Sequence, residues 1–414
     1  MRVSDLSVGL VAYYVGTEHL YALLVDQDRK IERFHLTSCK QAIPQIQLLL
    51  SALEQPFAWT ASRRASIVRD FCQGWGRELI PPGDQIRRFD VLVVVPHHWM
   101  HGVPLHLVEC YKSGPLGRVQ GIAYCSSATQ FERCAERNRA RMSDPHRWTF
   151  PVGNDTATVS GPPVTTCLSY GVDVLTDQDP AYRKLAEVFA NRFPDKAIAT
   201  ARPEVKNALD ESHRIATAKT EWVHPDVICL VCHGYCDNAV VYRSGLLLAT
   251  RLGGVSMRNV RVHGDTMLRV QDHPFAEIPL RLDPKRPRSA PVGIFEPEVL
   301  SIGELQVFSE TDAQLVALFG CSTGTGTVNS ADDFVTLANQ WLKAGAASAV
   351  ANLWEADFRV ITEWVERFAK NWAELRQPKA IAAREATNGL LADRPDLVDQ
   401  PLLWGSLSVL GDWL

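Results

Sequence analysis

Two apolar segments of this chain each end in a side chain that can take part in acyl transfer. The run Val227–Cys232 is followed by His233, and the run Leu315–Gly320 is followed by Cys321. A thiol with a pKa near ~8.5 is mostly protonated at neutral pH, and a nearby imidazole can take its proton. The pair therefore predicts a nucleophile, Cys321, with a general base, His233.

Strands must bring these two residues together. Both runs are typical of strands buried on both faces of a parallel sheet, and functional groups converge at the carboxyl ends of such strands. Gly234 lets the backbone approach a substrate carbonyl closely. We therefore expect the N–H groups of Gly234 and Cys321 to form an oxyanion hole beside the pair.

The second half of the chain alternates between strand and helix patterns. This alternation predicts an α/β fold in which helices cover both faces of a mostly parallel sheet. The apolar spacing after Cys321 predicts a helix that starts at Asp332 or Asp333, includes Phe334 and ends at Gly345. The other predicted elements are strands over 166–170, 227–232, 315–319 and 347–353, and helices over 181–193, 205–217, 360–374 and 379–391.

The first half of the chain carries its own strand and helix patterns. Strands are predicted over 8–14, 20–26 and 90–96, and a helix over 41–53. The segment from about Ala135 to Pro163 is polar and rich in turn residues, which predicts two halves, 1–155 and 156–414. The stretch Arg251–Pro297 is expected to be a long irregular loop.

Composition narrows the functional class and the compartment. The net charge is −4, from 43 basic and 47 acidic residues, which gives no footprint for nucleic acid or for an anionic membrane surface. The N-terminus lacks the basic region of a signal peptide. The ten cysteines are scattered and lie mostly in apolar runs, as expected for reduced thiols. We expect a cytoplasmic protein.

Other chemical interpretations of the same segments are weaker. Gly320–Gly324 matches the G-x-S-x-G pattern with Ser322 as nucleophile, but that hydrolase fold needs a histidine after the serine, and the last histidine is His273. The glycines of this segment also suggest a dinucleotide site, but no lysine suits a phosphate-binding loop. Nucleotide chemistry is therefore not expected.

Metal and haem sites are also disfavoured. Cys229-Leu-Val-Cys232-His233 matches a c-type haem attachment motif, but it lies on a predicted strand where residues three apart face opposite sides. The same geometry argues against zinc. A further cluster of histidines is interpreted as polar loop residues near the junction of the halves: His97, His98, His101 and His106. No metal or organic cofactor is expected.

The ordered motifs resemble the CHAT branch of the caspase and separase superfamily of cysteine peptidases. The similarity covers essentially the whole chain. The segments that carry it are Ala22–Asp26, Val93–Pro96, His101–Leu105, Tyr124–Ser127, Cys232–Tyr235, Ser244–Leu248, Leu318–Gly324, Leu342–Ser348, Asn352–Trp354, Pro401–Leu407 and Gly411–Trp413. The resemblance implies that His233 and Cys321 form a catalytic dyad. It also implies a caspase-like sheet preceded by a degenerate, caspase-like N-terminal half.

The resemblance further implies a biological role. Members of this family commonly act in bacterial antiphage defence or programmed cell death, where a sensor or activator protein triggers cleavage of one protein substrate. A gasdermin-like pore former and a CRISPR-linked effector are the kinds of substrate expected. The alternative is a catalytically silent caspase-like module that binds a partner, or an enzyme whose site is covered by Arg251–Pro297 until a partner moves it.

One departure from the family bears on substrate choice. Relatives that cut after a basic residue carry an acid shortly after the Asn-Leu-Trp motif, and Phe358 occupies that position here. An apolar P1 residue is therefore expected. Asp357, Phe358 and the Ser244–Leu248 segment are the candidate walls of the substrate pocket, although Asp357 or Glu355 would supply an alternative acid.

Overall fold

The structure is a computed structural model that describes most of the chain. The described residues are 5–54, 58–143, 166–171, 179–193, 195–199, 226–235, 244–253, 260–263, 267–270, 278–279, 294–305, 311–320, 323–324, 326–328, 334–355 and 357–414. The predicted boundary near residue 155, the predicted helix over 205–217 and Cys321 lie outside them.

Nineteen strands lie in the described ranges, and eleven of them form one sheet. The strands are β1 (Val8–Val15), β2 (His19–Val25), β3 (Ile31–Ser38), β4 (Val91–Val95), β5 (Gly121–Tyr124), β6 (Thr166–Gly171), β7 (Asp195–Ala199), β8 (Val227–Val231), β9 (His233–Tyr235), β10 (Gly245–Gly253), β11 (Val260–His263), β12 (Met267–Val270), β13 (Ile278–Pro279), β14 (Ile294–Ser301), β15 (Leu315–Leu318), β16 (Gly326–Val328), β17 (Phe334–Thr336), β18 (Ser348–Asn352) and β19 (Leu407–Gly411). The order in the large sheet is β3-β2-β1-β4-β5-β19-β18-β15-β8-β6-β7.

Nine of the eleven strands form two parallel groups, and the other two, β2 and β3, extend the sheet beyond β1 in antiparallel pairs. Strands β1, β4, β5 and β19 run parallel to one another, as do β18, β15, β8, β6 and β7. Strands β18 and β19 pair antiparallel, so the two groups run in opposite directions. The prediction of a mostly parallel sheet is confirmed.

Helices cover both faces of this sheet. The longer ones are α1 (Cys39–Glu54), α2 (Ala61–Gln73), α5 (Ala128–Ser143), α6 (Asp179–Ala190), α9 (Phe358–Ala369) and α10 (Lys379–Asp393), and the shorter ones are α3 (Gly83–Ile86), α4 (Leu116–Val119), α7 (Ile302–Leu305), α8 (Leu337–Lys343) and α11 (Pro401–Trp404). Leu92 of β4 packs in the main core with Leu49 of α1, whereas its neighbour Val91 packs against Ala380 of α10. Successive strand residues face opposite sides, so α1 and α10 lie on opposite faces. Within the described ranges, no helix is both long enough and apolar enough to cross a bilayer.

Two predicted elements were wrong in detail. The predicted helix that includes Phe334 is wrong at its start, because Phe334–Thr336 forms β17, as its β-branched residues favour, while the predicted first residues Asp332 and Asp333 lie outside the described residues. Helix α8 begins only at Leu337, where the Thr336 hydroxyl accepts a hydrogen bond from the Asn339 N–H. The Arg251–Pro297 stretch is not entirely irregular either. Its first residues, Arg251–Gly253 of β10, pair with Ile294–Glu296 of β14.

Candidate active site

The two strands that precede the predicted dyad are direct neighbours. Strands β8 and β15 pair in parallel with Val227 beside Leu315 and Leu230 beside Leu318. Both consist entirely of buried residues. His233 therefore follows β8, and Gly320 follows β15, at the same edge of the sheet.

Gly320 lies in close contact with the backbone that leads to His233. A Cβ atom placed on Gly320 would lie 2.3 Å from the carbonyl oxygen of Cys232 and 3.1 Å from the amide nitrogen of Gly234. Only a residue without a side chain permits this approach. Cys321, which lies outside the described residues, follows Gly320 directly in the chain.

Two aromatic side chains, Tyr182 and Phe358, stack on each other beside the His233 ring. The half-buried imidazole lies 5.2 Å from the Tyr182 ring, measured between centroids, and Tyr182 stacks on Phe358 at 4.4 Å with an interplanar angle of 3°. Helix α6 supplies Tyr182 and α9 supplies Phe358. The sequence analysis predicted Phe358 near the site but did not identify Tyr182, which carried only the signal of one apolar position on an amphipathic helix.

Two other predicted pocket residues have local partners. Ser244 is buried, and its carbonyl accepts a hydrogen bond from the Ile302 N–H at 2.8 Å. The strand that follows it, β10, pairs with β9, so that Leu247 lies opposite His233. Asp357 is exposed and caps α9, where its Oδ1 accepts hydrogen bonds from the N–H groups of Arg359 and Val360. The structure thus brings Phe358 and β10 near His233 and gives the Asp357 carboxylate a capping role.

A buried polar network surrounds the backbone on both sides of Cys321. The Asn352 Nδ2 donates to the Gly320 carbonyl at 3.1 Å, and the Gly324 N–H donates to the Asn352 carbonyl at 2.8 Å. The Thr323 hydroxyl lies 3.0 Å from the Leu318 carbonyl and 3.2 Å from the Gly320 carbonyl, and it accepts from the Asn352 N–H at 3.2 Å. The Ser406 hydroxyl donates to the Asn352 Oδ1 at 3.0 Å. The sequence analysis included Thr323 and Asn352 in motifs without assigning them a role.

The prediction that the four histidines of the first half lie in a polar loop is wrong for two of them. His101 and His106 are buried. The His106 Nε2 lies 2.8 Å from the Gly405 carbonyl, and its Nδ1 lies 2.9 Å from the Tyr124 hydroxyl. Burial lowers the pKa of His106 to about 4. Since a carbonyl only accepts, Nε2 carries the hydrogen of the neutral ring, and Nδ1 accepts from Tyr124.

Most of the other cysteines have a raised thiol pKa, which does not suit a nucleophile. The eight cysteines in the described ranges are free. Burial raises the pKa of Cys110 to about 11 and of Cys134 and Cys229 to about 12. Burial also raises the pKa of the Cys39, Cys72, Cys125 and Cys167 thiols. In the part of the chain that is described, no group of three metal-ligating side chains comes together.

Comparisons with known proteins agree with this architecture. A family model described as the CHAT domain matches residues 70–412. The structure of the Saccharomyces cerevisiae separase–securin complex is similar with a TM-score of 0.54 at 9% identity, over 99% of this chain and 30% of that one. The Arg-specific cysteine proteinase gingipain R is similar with a TM-score of 0.44 at 8% identity, over 90% of this chain and 74% of that one.

A second gingipain structure gives a comparable result. The complex of the Porphyromonas gingivalis RgpB pro- and mature domains is similar with a TM-score of 0.41 at 10% identity, over 90% of this chain and 76% of that one. No curated protein matches the chain by sequence. The fold is a caspase-like one, as the CHAT family model and the similarity to the separase structure show.

Proposed function

The chain belongs to the CHAT domain family, and from that premise we propose that it is a cysteine endopeptidase with His233 as general base and Cys321 as nucleophile. One observation carries this proposal. Gly320, the residue before Cys321, lies against the Cys232–Gly234 backbone that carries His233. The ends of the two strands that precede the proposed dyad are therefore in close backbone contact, which supports the pairing of the two residues.

The proposed reaction has two stages. The Cys321 thiolate attacks a peptide carbonyl, and the N–H groups of Gly234 and Cys321 stabilise the oxyanion that forms. The C–N bond breaks as the His233 imidazolium gives its proton to the leaving amine. His233 then deprotonates a water molecule, which attacks the thioester and releases the carboxylate product and the thiolate.

An apolar P1 residue is the second part of the proposal. The Phe358 ring stacks on Tyr182, which lies against His233, so the surface beside the base is aromatic. The acid that precedes Phe358 in the chain, Asp357, caps helix α9. Glu355 is exposed and interacts electrostatically with Arg64, so it has a cationic neighbour of its own. These contacts favour an apolar substrate side chain over arginine or lysine.

The biological setting is proposed from the family resemblance. We place the enzyme in the bacterial cytoplasm, where an activator protein triggers cleavage of one protein substrate in antiphage defence or programmed cell death. The free state of the cysteines in the described ranges supports a reducing compartment. A gasdermin-like pore former or a CRISPR-linked effector remains the proposed kind of substrate.

The proposal is tested by cleavage of a peptide and protein library. The purified wild type is compared with Cys321→Ala, His233→Ala and a matched control, Cys110→Ala, which removes a half-buried thiol from the first half of the chain. We expect Cys321→Ala to lower cleavage at least ~10³-fold and His233→Ala at least ~10²-fold, with no change for the control. Strict cleavage after arginine or lysine would contradict the apolar P1 preference.

Thiol labelling tests the dyad independently of the substrate. At pH 6, iodoacetamide reacts with thiolates, and burial keeps the other thiols of high pKa protonated. We expect mass spectrometry to find Cys321 alkylated first in the wild type and much more slowly in His233→Ala. A wild type that neither cleaves nor shows a preferred Cys321 would leave two explanations, a silent, partner-binding module or an enzyme whose site is covered until a partner moves the Arg251–Pro297 stretch.

A further inference from the structure

An open cleft lies between the first half of the chain and the segment that leads into β19. One side of it is formed by α2 and by residues between 107 and 118, and the other side by Val398, Pro401 and Trp404. The cleft has a volume of about 700 Å³ when its open mouth is included. All of the residues that line it lie outside the elements that hold His233, so the cleft is distinct from the proposed active site.

Basic side chains from three different elements line this cleft. Arg69 belongs to α2, Arg118 belongs to α4, and Lys112 lies in the turn over 111–114. Within the described ranges, none of the three forms an ion pair with a carboxylate, whereas five other arginines of these ranges do. The one acid that lines the cleft is Glu109, so positive charges exceed negative ones. The lining is therefore suited to an anion.

Local structure holds two of these cations. The Gly114 N–H donates to the Tyr111 carbonyl at 3.2 Å, and Gly114 has a φ of +124°, which glycine adopts without a steric cost. The turn that results carries the exposed Lys112. The Arg118 Nη1 lies 3.6 Å from the position of a Cβ on Gly114, and its Nε donates to the Asn388 Oδ1 at 3.2 Å. The guanidinium is thus anchored beside the turn, and no described residue accepts a hydrogen bond from its Nη groups.

Apolar side chains make up much of the remaining lining. Leu107, Pro115, Pro401 and Trp404 are buried, and Val398 is 40% exposed. A ligand that covers apolar surface gains roughly 25 cal/mol per Å². An inorganic anion would use the cations alone. A peptide segment that carries carboxylates next to leucine, proline or aromatic residues would use both parts of the lining.

The cleft lies at the same edge of the large sheet as the ends of β8 and β15. Strand β19 begins at Leu407, which pairs with Asn352 at the end of β18. Strands β18, β15 and β8 run parallel, so they end at this same edge. Trp404 precedes β19 by three positions, and β19 lies three strand spacings from β8, which corresponds to roughly 15 Å. A peptide in the cleft would therefore lie on the side of the molecule where the proposed active site would receive a protein chain.

We infer that this cleft binds an acidic peptide segment of a protein partner. The Arg118 guanidinium donates to one carboxylate through its two Nη groups, Arg69 and Lys112 pair with further carboxylates, and apolar side chains of the segment cover Val398. This inference goes beyond the proposed peptidase function and does not rest on it, because binding requires neither His233 nor Cys321.

The test is selection from a random peptide library by the full chain with Cys321→Ala, so that the proposed cleavage cannot consume the peptides. We expect the enriched peptides to carry two or more aspartates or glutamates beside apolar residues. The affinity of an enriched peptide, measured by fluorescence anisotropy, should fall as added salt screens the charges. Inorganic phosphate and a single-stranded oligonucleotide are measured as competing ligands.

Charge-removing variants in the same background connect the binding to the cleft. The double variant Arg69→Gln/Lys112→Gln changes two exposed side chains and should weaken the peptide about tenfold, and Arg118→Gln should weaken it by about tenfold or more. The matched control is Arg33→Gln, which removes an exposed positive charge from β3 at the far edge strand. It should bind within about twofold of the parent chain.

Three results would overturn the inference. The first is enrichment of peptides without acidic residues, and the second is an affinity in the Arg69→Gln/Lys112→Gln variant equal to that of Arg33→Gln. The third is binding of phosphate or of the oligonucleotide with no acidic peptide enriched, which would assign the cleft to a different anion. The cleavage and alkylation assays of the proposed peptidase are independent of all three.

Discussion

Strand β4 in the first half of the chain and strand β8 in the second are each five buried residues long, and a histidine lies two residues past the end of each. His97 follows Val95 through Pro96, and His233 follows Val231 through Cys232. Both strands lie within the parallel groups of one sheet. The two halves therefore present the same side chain at equivalent places.

The partners of the two histidines differ. The His97 Nδ1 accepts a hydrogen bond from the main-chain N–H of Val15 at 3.1 Å, so its ring connects two parts of the first half. The His233 ring lies 5.2 Å from the Tyr182 ring, and the backbone on both sides of His233 lies against Gly320. Two similar strand ends therefore hold their histidines in different surroundings, and the contact of the neighbouring backbone with Gly320 is what supports the proposed role of His233.

The first half nevertheless supports the second. His106 bonds to the Gly405 carbonyl, and Ser406, the next residue, bonds to Asn352 beside the Gly320 carbonyl. Polar contacts therefore connect the first half of the chain to the surroundings of the proposed site.

Gly320→Ala should strongly reduce the proposed peptide cleavage. The new Cβ would lie 2.3 Å from the Cys232 carbonyl oxygen, which is backbone and cannot turn away. We expect cleavage to fall more than about 100-fold and the free energy of unfolding to fall by about 1–3 kcal/mol. Cleavage kinetics and urea unfolding measure the two effects.

The matched control for Gly320 lies in the first half. A Cβ on Gly102 would lie 2.8 Å from the Cδ2 of Leu50, which is the flexible end of a side chain and can move. Gly102→Ala should therefore leave cleavage unchanged. Wild-type activity in Gly320→Ala would show that the ends of β8 and β15 do not need their close contact, and the proposed dyad geometry would be wrong.

His106→Gln should change the pH dependence of stability. Burial lowers the pKa of His106 to about 4, below the value near 6.5 of an exposed histidine. The unfolded chain then binds more protons between about pH 6.5 and pH 4, so the stability linked to this group is present above pH 6.5 and is lost as the pH falls toward 4. The total is on the order of 3 kcal/mol.

The pH profile separates that effect from simple loss of packing. Unfolding measured from pH 8 to pH 4 should show a steeper fall in the wild type than in His106→Gln, while the variant is less stable at pH 8 because its contacts to Tyr124 and Gly405 change. Parallel curves for the two proteins would mean that His106 does not titrate in this window. The first half would then stabilise the sheet by packing alone.

The comparison also shows what a sequence can and cannot predict. The buried strands β4, β8 and β15 were evident from uninterrupted apolar runs, and the convergence of His233 with the Gly320–Cys321 segment followed from the polarity of parallel strands. Each strand was predictable from residues close to one another in the chain, and the parallel direction of the strands then places both strand ends at the same edge of the sheet.

Features that depend on distant residues were not predictable in this way. Tyr182 contacts His233 across about fifty positions, and Ser406 bonds to Asn352 across fifty-four. The burial of His106 depends on Tyr124 and Gly405, which no pattern around residue 106 reveals. Strand β3 was also missed, because its outward residues are largely charged or polar and give only weak alternation.

His97→Ala gives the smallest expected effect and compares the two strand-end histidines directly. The substitution removes one acceptor, that of the Val15 N–H, from a partly buried site, so we expect the free energy of unfolding to fall by about 1 kcal/mol. Cleavage should remain within about twofold of the wild type. His233→Ala should do the reverse, with cleavage lost and stability little changed, because the ring is only half-buried. Urea unfolding and library cleavage are measured for both variants. A cleavage defect in His97→Ala comparable to that of His233→Ala would mean that the proposed active site extends into the first half.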